Sequence, residues 1–148
     1  MYILLYGRDH VRKSKGVIVN NYLLDTHALI FWFNKENMSS EFISFLDKQN
    51  EKNTLFVSPI SFWEIALLIK KKRIEMEDPA GWQSNLMVHS QIKTMVPSAG
   101  EMIESVNLPD LHNDPFDRLL IAQAKNNNCL LVTKDKIIKQ YDVKTFWV

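Results

Sequence analysis

Short apolar runs alternate with longer amphipathic stretches along most of this chain. NYLLD (21–25) has the length and burial character of a strand, and residues 26–33 read as helical. Residues 39–49 place Phe42, Phe45 and Leu46 on one helical face. TLFVS (54–58) is a second strand. Pro59 suits the first position of a helix that runs to about Lys72, with Ser58 as its cap. A further helix is predicted over Pro79–His89, a weaker strand over 92–96 and a short helix over 98–106. Asn113-Asp114-Pro115 has the form of a helix start, and the helix continues to Asn126–Asn128. CLLVT (129–133) is the clearest strand. A short helix follows it, and a last strand lies near 144–148. This alternation predicts an α/β fold, a three-layer α/β/α sandwich around a mostly parallel five-stranded sheet.

Residues 1–20 stand outside that rhythm and are expected to be an extension to a domain over 21–148. They carry Arg8, Arg12, Lys13 and Lys15 against Asp9, and Lys70, Lys71, Lys72 and Arg73 form a second basic cluster. The net charge of +1 therefore leaves −6 for the rest of the chain. Two basic patches on an acidic background suit a polyanion; the run at 70–73 is equally a solvated helix end complementing the helix dipole. At 148 residues and 46% hydrophobic content the chain can bury one core. Its single cysteine, Cys129, excludes a disulfide framework and is expected to be a buried, inert thiol. No apolar stretch approaches a membrane span, and YILLYG is too short for a signal sequence, so a cytoplasmic protein is expected. Trp32, Trp63 and Trp147 lie in apolar elements and are expected in the core, with Trp82 either there or at a protein interface.

Four carboxylates change the picture. Asp25 is the only formally charged residue between Lys15 and Lys35, and Glu64 the only one between Lys52 and Lys70. An ionised carboxylate in such apolar surroundings is costly unless something compensates it. In a parallel sheet, sites form at the carboxyl ends of the strands. Asp25 ends the first strand, and Asp135 follows the fourth by two residues. Glu64 lies in the opening turns of the helix after the second strand, and Asp117 near the start of the helix feeding the fourth. All four therefore meet on one rim. Taken singly, Asp114, Asp117 and Asp135 also read as helix caps or dipole partners. Together they suggest oxygen-only ligation of a hard cation, Mg²⁺ or Mn²⁺. Zinc is disfavoured, because His10, His27, His89 and His112 are scattered and form no ligand pattern. Such cations clamp phosphoryl oxygens and activate water, so the inferred reaction is phosphodiester hydrolysis.

At these residues the chain resembles a PIN-domain ribonuclease, and more narrowly a VapC-like toxin of a type II toxin–antitoxin pair. The matching segments are LLDTHALIFW (23–32), SPISFWEIALLIKKKRI (58–74), LPDLHNDPFDRLLIAQA (108–124), LLVTKD (130–135) and YDVKTFW (141–147). The resemblance implies metal-dependent RNA cleavage, a homodimer and inhibition by a cognate antitoxin. It assigns metal-binding and catalytic roles to Asp25, Glu64, Asp117 and Asp135. It makes Thr26, Ser61, Asp114 and Thr133 groups that orient those carboxylates or waters. Arg118 is offered either to phosphate or to a neighbouring acid, and Lys70–Lys72 with Arg73 to RNA. The first 20 residues have no counterpart in the pattern, and KKKRI stands where a glycine-containing turn is usual. Two other classes remain open: a DNA nuclease or other metal-dependent phosphodiesterase on the same rim, and a module that binds nucleic acid or a partner without turnover. A four-acid set argues against the latter, since a pure binder needs no such costly charges.

Overall fold

The computed structural model describes residues 13–14 and 17–148. Lys13–Ser14 (β1) and Val17–Ile18 (β2) pair antiparallel in a two-stranded ladder of their own. Arg8, Arg12 and Lys15 of the basic extension lie outside the described residues. The main sheet uses Tyr22–Leu24 (β3), Leu55–Val57 (β4), Lys93–Thr94 (β5), Leu130–Val132 (β6) and Thr145–Phe146 (β7). Their order is β5-β4-β3-β6-β7, and every pairing is parallel.

Parallel neighbours need crossovers, and helices supply them. Thr26–Asn34 (α1) and Ser40–Glu51 (α2) join β3 to β4. Ile60–Lys70 (α3) and Pro79–His89 (α4) lead to β5. Ala99–Asn107 (α5) and Pro115–Asn126 (α6) lead to β6, and a 3-10 turn at Ile138–Gln140 precedes β7. Side chains alternate across the strands, so each face of the sheet owns a core. Tyr22, Leu24, Leu55, Val57 and Val132 pack with Leu29 and Trp32 of α1, Phe42 and Leu46 of α2, and Leu86 of α4. Leu23, Phe56 and Leu131 pack on the other side with Leu120, Ile121 and Ala124 of α6. These are the three layers expected. Among the described residues, no helix is long and apolar enough to cross a membrane.

Helix starts follow the local chemistry. Asp25, Ser39, Asp78, Ser98 and Asp114 each accept a backbone N–H in the first turn of their helix. At α3 the expectation fails. Ser58 does not cap: its Oγ is fully buried with no hydrogen-bond partner among the described residues, and Pro59 enters the helix with no side-chain cap. Trp63 is a second correction. It is 63% exposed, with its ring edge-on to Phe116 at 5.1 Å, because α3 is apolar nearly all round and cannot bury every face. Trp32 is in the core, Trp147 is partly buried against it, and Trp82 packs on Phe33 while donating to Asn34 Oδ1.

The register positions the site. Leu24 pairs with both Val57 and Val132, so the chain leaves all three central strands at one edge. The next residues are Asp25, Ser58 and Thr133, and Asp25 N donates to Val132 O across that edge.

Candidate active site

Asp25, Glu64, Asp117 and Asp135 line one cleft of about 630 Å³ at this edge, together with His27, Phe31, His112, Asp114 and Lys134. The four acids thus meet on one rim, from the residue after β3, from α3, from α6 and from the loop after β6.

Each acid is held by its own local chemistry. Asp25 is buried at the start of α1, where Oδ1 accepts Ala28 N–H at 2.8 Å and the Thr133 hydroxyl bonds the carboxylate. Thr133 Oγ1 also accepts the N–H of Asp135 at 3.1 Å, so one threonine ties two acids. Glu64 sits a turn into α3 and meets Thr26, whose Oγ1 is 2.5 Å from Glu64 Oε1 and 3.0 Å from Ser61 Oγ. A hydroxyl has one proton; Thr26 donates it to Glu64 and accepts from Ser61. Asp114 is the N-cap of α6, with Oδ1 accepting from Phe116 N and Asp117 N. It therefore caps its helix as the sequence allows, and its charge also faces the cleft.

Burial dominates the electrostatics. It pushes the Asp25 carboxyl above its ordinary range against the bonds from Thr133 and Ala28. It raises Glu64 likewise, opposed by the Thr26 hydroxyl and reinforced by Asp114. Asp117 is pushed up to about 8, first by burial and then by repulsion from Asp114, Asp25, Glu64 and Asp135. Asp135 moves the other way. Burial acts upward on it, but the hydrogen bonds from His112 and Ile137 N–H outweigh that and lower its carboxyl. Among the described residues, no lysine or arginine forms an ion pair with any of the four acids. Lys134 Nζ sits instead over the Phe31 ring at 5.1 Å. Concentrated, poorly compensated carboxylate oxygen is the donor set that fits a hard divalent cation.

His112 is the site residue that sequence reasoning missed. Its Nε2 lies 2.8 Å from Asp135 Oδ2 and 3.1 Å from Asp117 Oδ2, so the three side chains form one cluster at the cleft. The scattered histidines gave no ligand spacing, but His112 stands only two residues before the helix cap Asp114, and that proximity was the available signal.

Arg118 is not where the sequence offered it. It is buried, and its N–H groups go to the carbonyls of Ser105, Val106, Leu108, Pro109 and His112 and to Tyr141 Oη. Its nearest carboxylate is Asp110, 3.9 Å away and 98% exposed. It is a loop anchor, with no donor left for phosphate or for Asp117. The basic run closes α3 in a turn: Arg73 N bonds Leu68 O, Lys72 N bonds Ile69 O, and Lys72 adopts the left-handed conformation at φ 58°. Lys71 and Arg73 line a groove of about 400 Å³ with Leu67, Leu68 and residues 113–116, and Glu64 and Asp114 border both this groove and the acidic cleft.

A PIN domain family model matches residues 22–144. The chain is 30% identical over 122 residues to Ribonuclease VapC22 of Mycobacterium tuberculosis, a match that spans 80% of this chain and 90% of that protein. In structure it resembles a chain of VapBC2 from Rickettsia felis, solved bound to a promoter DNA fragment. That match has a TM-score of 0.65 and 21% identity over 86% of this chain and 98% of the other. A chain of DNA-bound VapBC from Salmonella typhimurium matches with a TM-score of 0.63 and 14% identity over 86% of this chain and 96% of the other. At these identities the structural likeness is one of fold.

Proposed function

The chain belongs to the PIN-domain family, and from that premise we propose that it is a metal-dependent endoribonuclease acting as the toxin of a toxin–antitoxin pair. One observation carries the chemistry: Asp25, Glu64, Asp117 and Asp135 line a single cleft without a lysine or arginine ion-pair partner among the described residues. A bound Mg²⁺ or Mn²⁺ supplies Lewis acidity toward phosphoryl oxygens and an acidified water.

The chain's own residues prepare the cleft. Thr26 and Thr133, with Ser61 behind Thr26, hold the Glu64 and Asp25 carboxylates, and Asp114 fixes the first turn that carries Asp117. The groove beside Glu64 gives an RNA strand leaving the acids a cationic wall at Lys71 and Arg73, flanked in sequence by Lys70 and Lys72. Among the described residues, no thiol competes as nucleophile. Cys129 is buried, and burial pushes its thiol up to about 12.

Family membership and an exposed apolar face support a protein partner. Met102, Ile103 and Val106 of α5 are 48%, 66% and 74% exposed, an apolar face suited to a protein partner such as an antitoxin or a second copy of the chain.

The test is cleavage of a labelled RNA, a matched DNA and a small phosphate ester. RNA alone should be cut, with Mg²⁺ or Mn²⁺ required and EDTA inhibitory. Asp25→Asn and Glu64→Gln should each abolish cutting. Cleavage by rigorously metal-free protein, or parental rates in both variants, would overturn the proposal. Preferential cleavage of DNA would move the chain to the DNA nucleases.

A further inference from the structure

Asp117 and Arg118 are adjacent on α6 but face different tasks. Asp117 enters the acidic cleft. Arg118 turns to the end of α5 and the loop that joins it to α6, and gathers five carbonyls between Ser105 and His112 at 2.7–3.0 Å. Tyr141 completes the grip. Its Oη donates to Pro109 O at 2.7 Å and accepts the N–H groups of Leu111 at 3.2 Å and His112 at 2.7 Å. A buried guanidinium without a close carboxylate partner is costly unless its N–H groups are bonded, and here carbonyls and Tyr141 Oη take them. What the charged fork adds is a loop with one permitted path, and that path ends at His112.

The His112 ring is oriented from both sides. Nδ1 accepts the backbone N–H of Asp114 at 3.1 Å, so the proton of the neutral ring resides on Nε2. That N–H points between Asp135 Oδ2 at 2.8 Å and Asp117 Oδ2 at 3.1 Å. A protonated nitrogen has no lone pair for a metal. Asp135 Oδ1 is already taken by Ile137 N–H at 2.8 Å. Of the four oxygens in this pair, only Asp117 Oδ1 has no hydrogen-bond donor among the described residues.

We propose that Arg118 and Tyr141 clamp the 108–112 loop so that His112 Nε2–H bridges Asp117 and Asp135, making His112 a positioning residue for the cation site and not one of its ligands. The bridge converges two carboxylates from separate elements and leaves Asp117 Oδ1 to face the cleft. Its purpose rests on the reading of the cleft as a cation site.

Three measurements on the full chain test it. In the metal-free protein, ¹⁵N NMR of the imidazoles should show His112 as the Nε2–H tautomer. With Mn²⁺ bound, pulsed EPR should show no directly coordinated nitrogen. Calorimetric Mn²⁺ titration should give affinity about 10–100-fold weaker for His112→Ala, the range seen when supporting hydrogen bonds to metal ligands are removed. His112→Gln, which returns an N–H, should recover part of the loss. Tyr141→Phe keeps the buried ring and removes only the hydroxyl, so it loosens the clamp with the least disturbance of the fold. It should weaken Mn²⁺ binding without adding to the effect of His112→Ala. An Nδ1–H tautomer, a coordinated nitrogen, unchanged affinity in His112→Ala, or additive losses in the double variant would overturn the proposal. Failure of the parental protein to bind Mn²⁺ would instead overturn the cation reading, and the bridge's purpose with it; the tautomer still reports the bridge itself.

Discussion

Thr26 donates its hydroxyl to Glu64, with Oγ1 and Oε1 2.5 Å apart, and so joins the first turn of α1 to α3 beside the acids both helices carry. The bond lowers the cost of keeping Glu64 ionised in a site where burial works against it. Thr26→Val keeps the shape and removes the donor. We expect RNA cleavage to fall by about 10–100-fold, as for other groups that support metal ligands. Stability should fall by about 1–3 kcal/mol, since a buried acceptor loses its partner. Thr26→Ser should restore most of both. Cleavage kinetics and urea unfolding of the three proteins check this, and undiminished cleavage in Thr26→Val would remove Thr26 from the site.

Asp117 makes the metal-free protein sensitive to pH. Its carboxyl is raised from an ordinary 3.8 to about 8 in the fold. Between those values the native state binds a proton that the unfolded chain has released, so stability falls as pH rises. The contribution is fully present below about 4 and lost by the time pH passes about 8. Asp135 does not oppose this over the upper part of the window, because its carboxyl is lowered and already ionised there. Melting temperature in EDTA should therefore drop between about pH 5.5 and about pH 8.5, and Asp117→Asn should flatten the drop. Added Mn²⁺ should reverse the trend, because the cation displaces the same proton. A melting temperature independent of pH in the parent protein would contradict the raised carboxyl.

Lys72 offers a stabilising substitution. It holds φ 58° at the end of α3, in the region where a Cβ is unfavourable and glycine is not. Its backbone bond to Ile69 and that of Arg73 to Leu68 form the helix-ending pair that glycine normally serves. Lys72→Gly should raise stability by about 1 kcal/mol, or roughly 2–4 °C in melting temperature for a domain of this size. Lys72→Val should lower it by more. Thermal scans decide the matter; a destabilised glycine variant would show that the lysine side chain makes an unrecognised contribution.

The central strands β3, β4 and β6 were legible because each is a short apolar run packed between two helical layers, and Leu23 and Leu24 do point to opposite cores. The acidic rim was legible for a related reason: parallel topology alone sends Asp25, Glu64, Asp117 and Asp135 to one edge. What stayed hidden depended on loop geometry. His112 reaches Asp135 from a backbone that Tyr141, 29 residues away, holds by a hydrogen bond. Arg118 looked available because it neighbours Asp117, yet a helix turns successive side chains by about 100°, and that turn sends Arg118 to the loop. Trp63 was misplaced because a helix apolar on every face gives no signal as to which face meets solvent.

The basic run and Arg118 should separate in one experiment. Lys71 and Arg73 line the groove beside Glu64, whereas Arg118 is sealed beneath the 105–112 loop. If the groove carries the RNA backbone, Lys71→Glu with Arg73→Glu should weaken single-strand binding. The slope of log affinity against log salt should shrink by roughly 0.7 for every phosphate that the variant no longer neutralises. Melting temperature should barely change, since both side chains are exposed at a helix end. Arg118→Met should do the opposite. It leaves five carbonyls, two at the end of α5 and three in the loop after it, without their donor, so the melting temperature should fall by more than about 5 °C while any remaining folded protein binds RNA with the parental salt slope. RNA binding measured by fluorescence anisotropy from low to moderate salt, alongside thermal scans, distinguishes the two. An unchanged slope in the double variant would return Lys71 and Arg73 to the role of a solvated helix end, and a reduced slope in Arg118→Met would mean that the loop it anchors touches the nucleic acid.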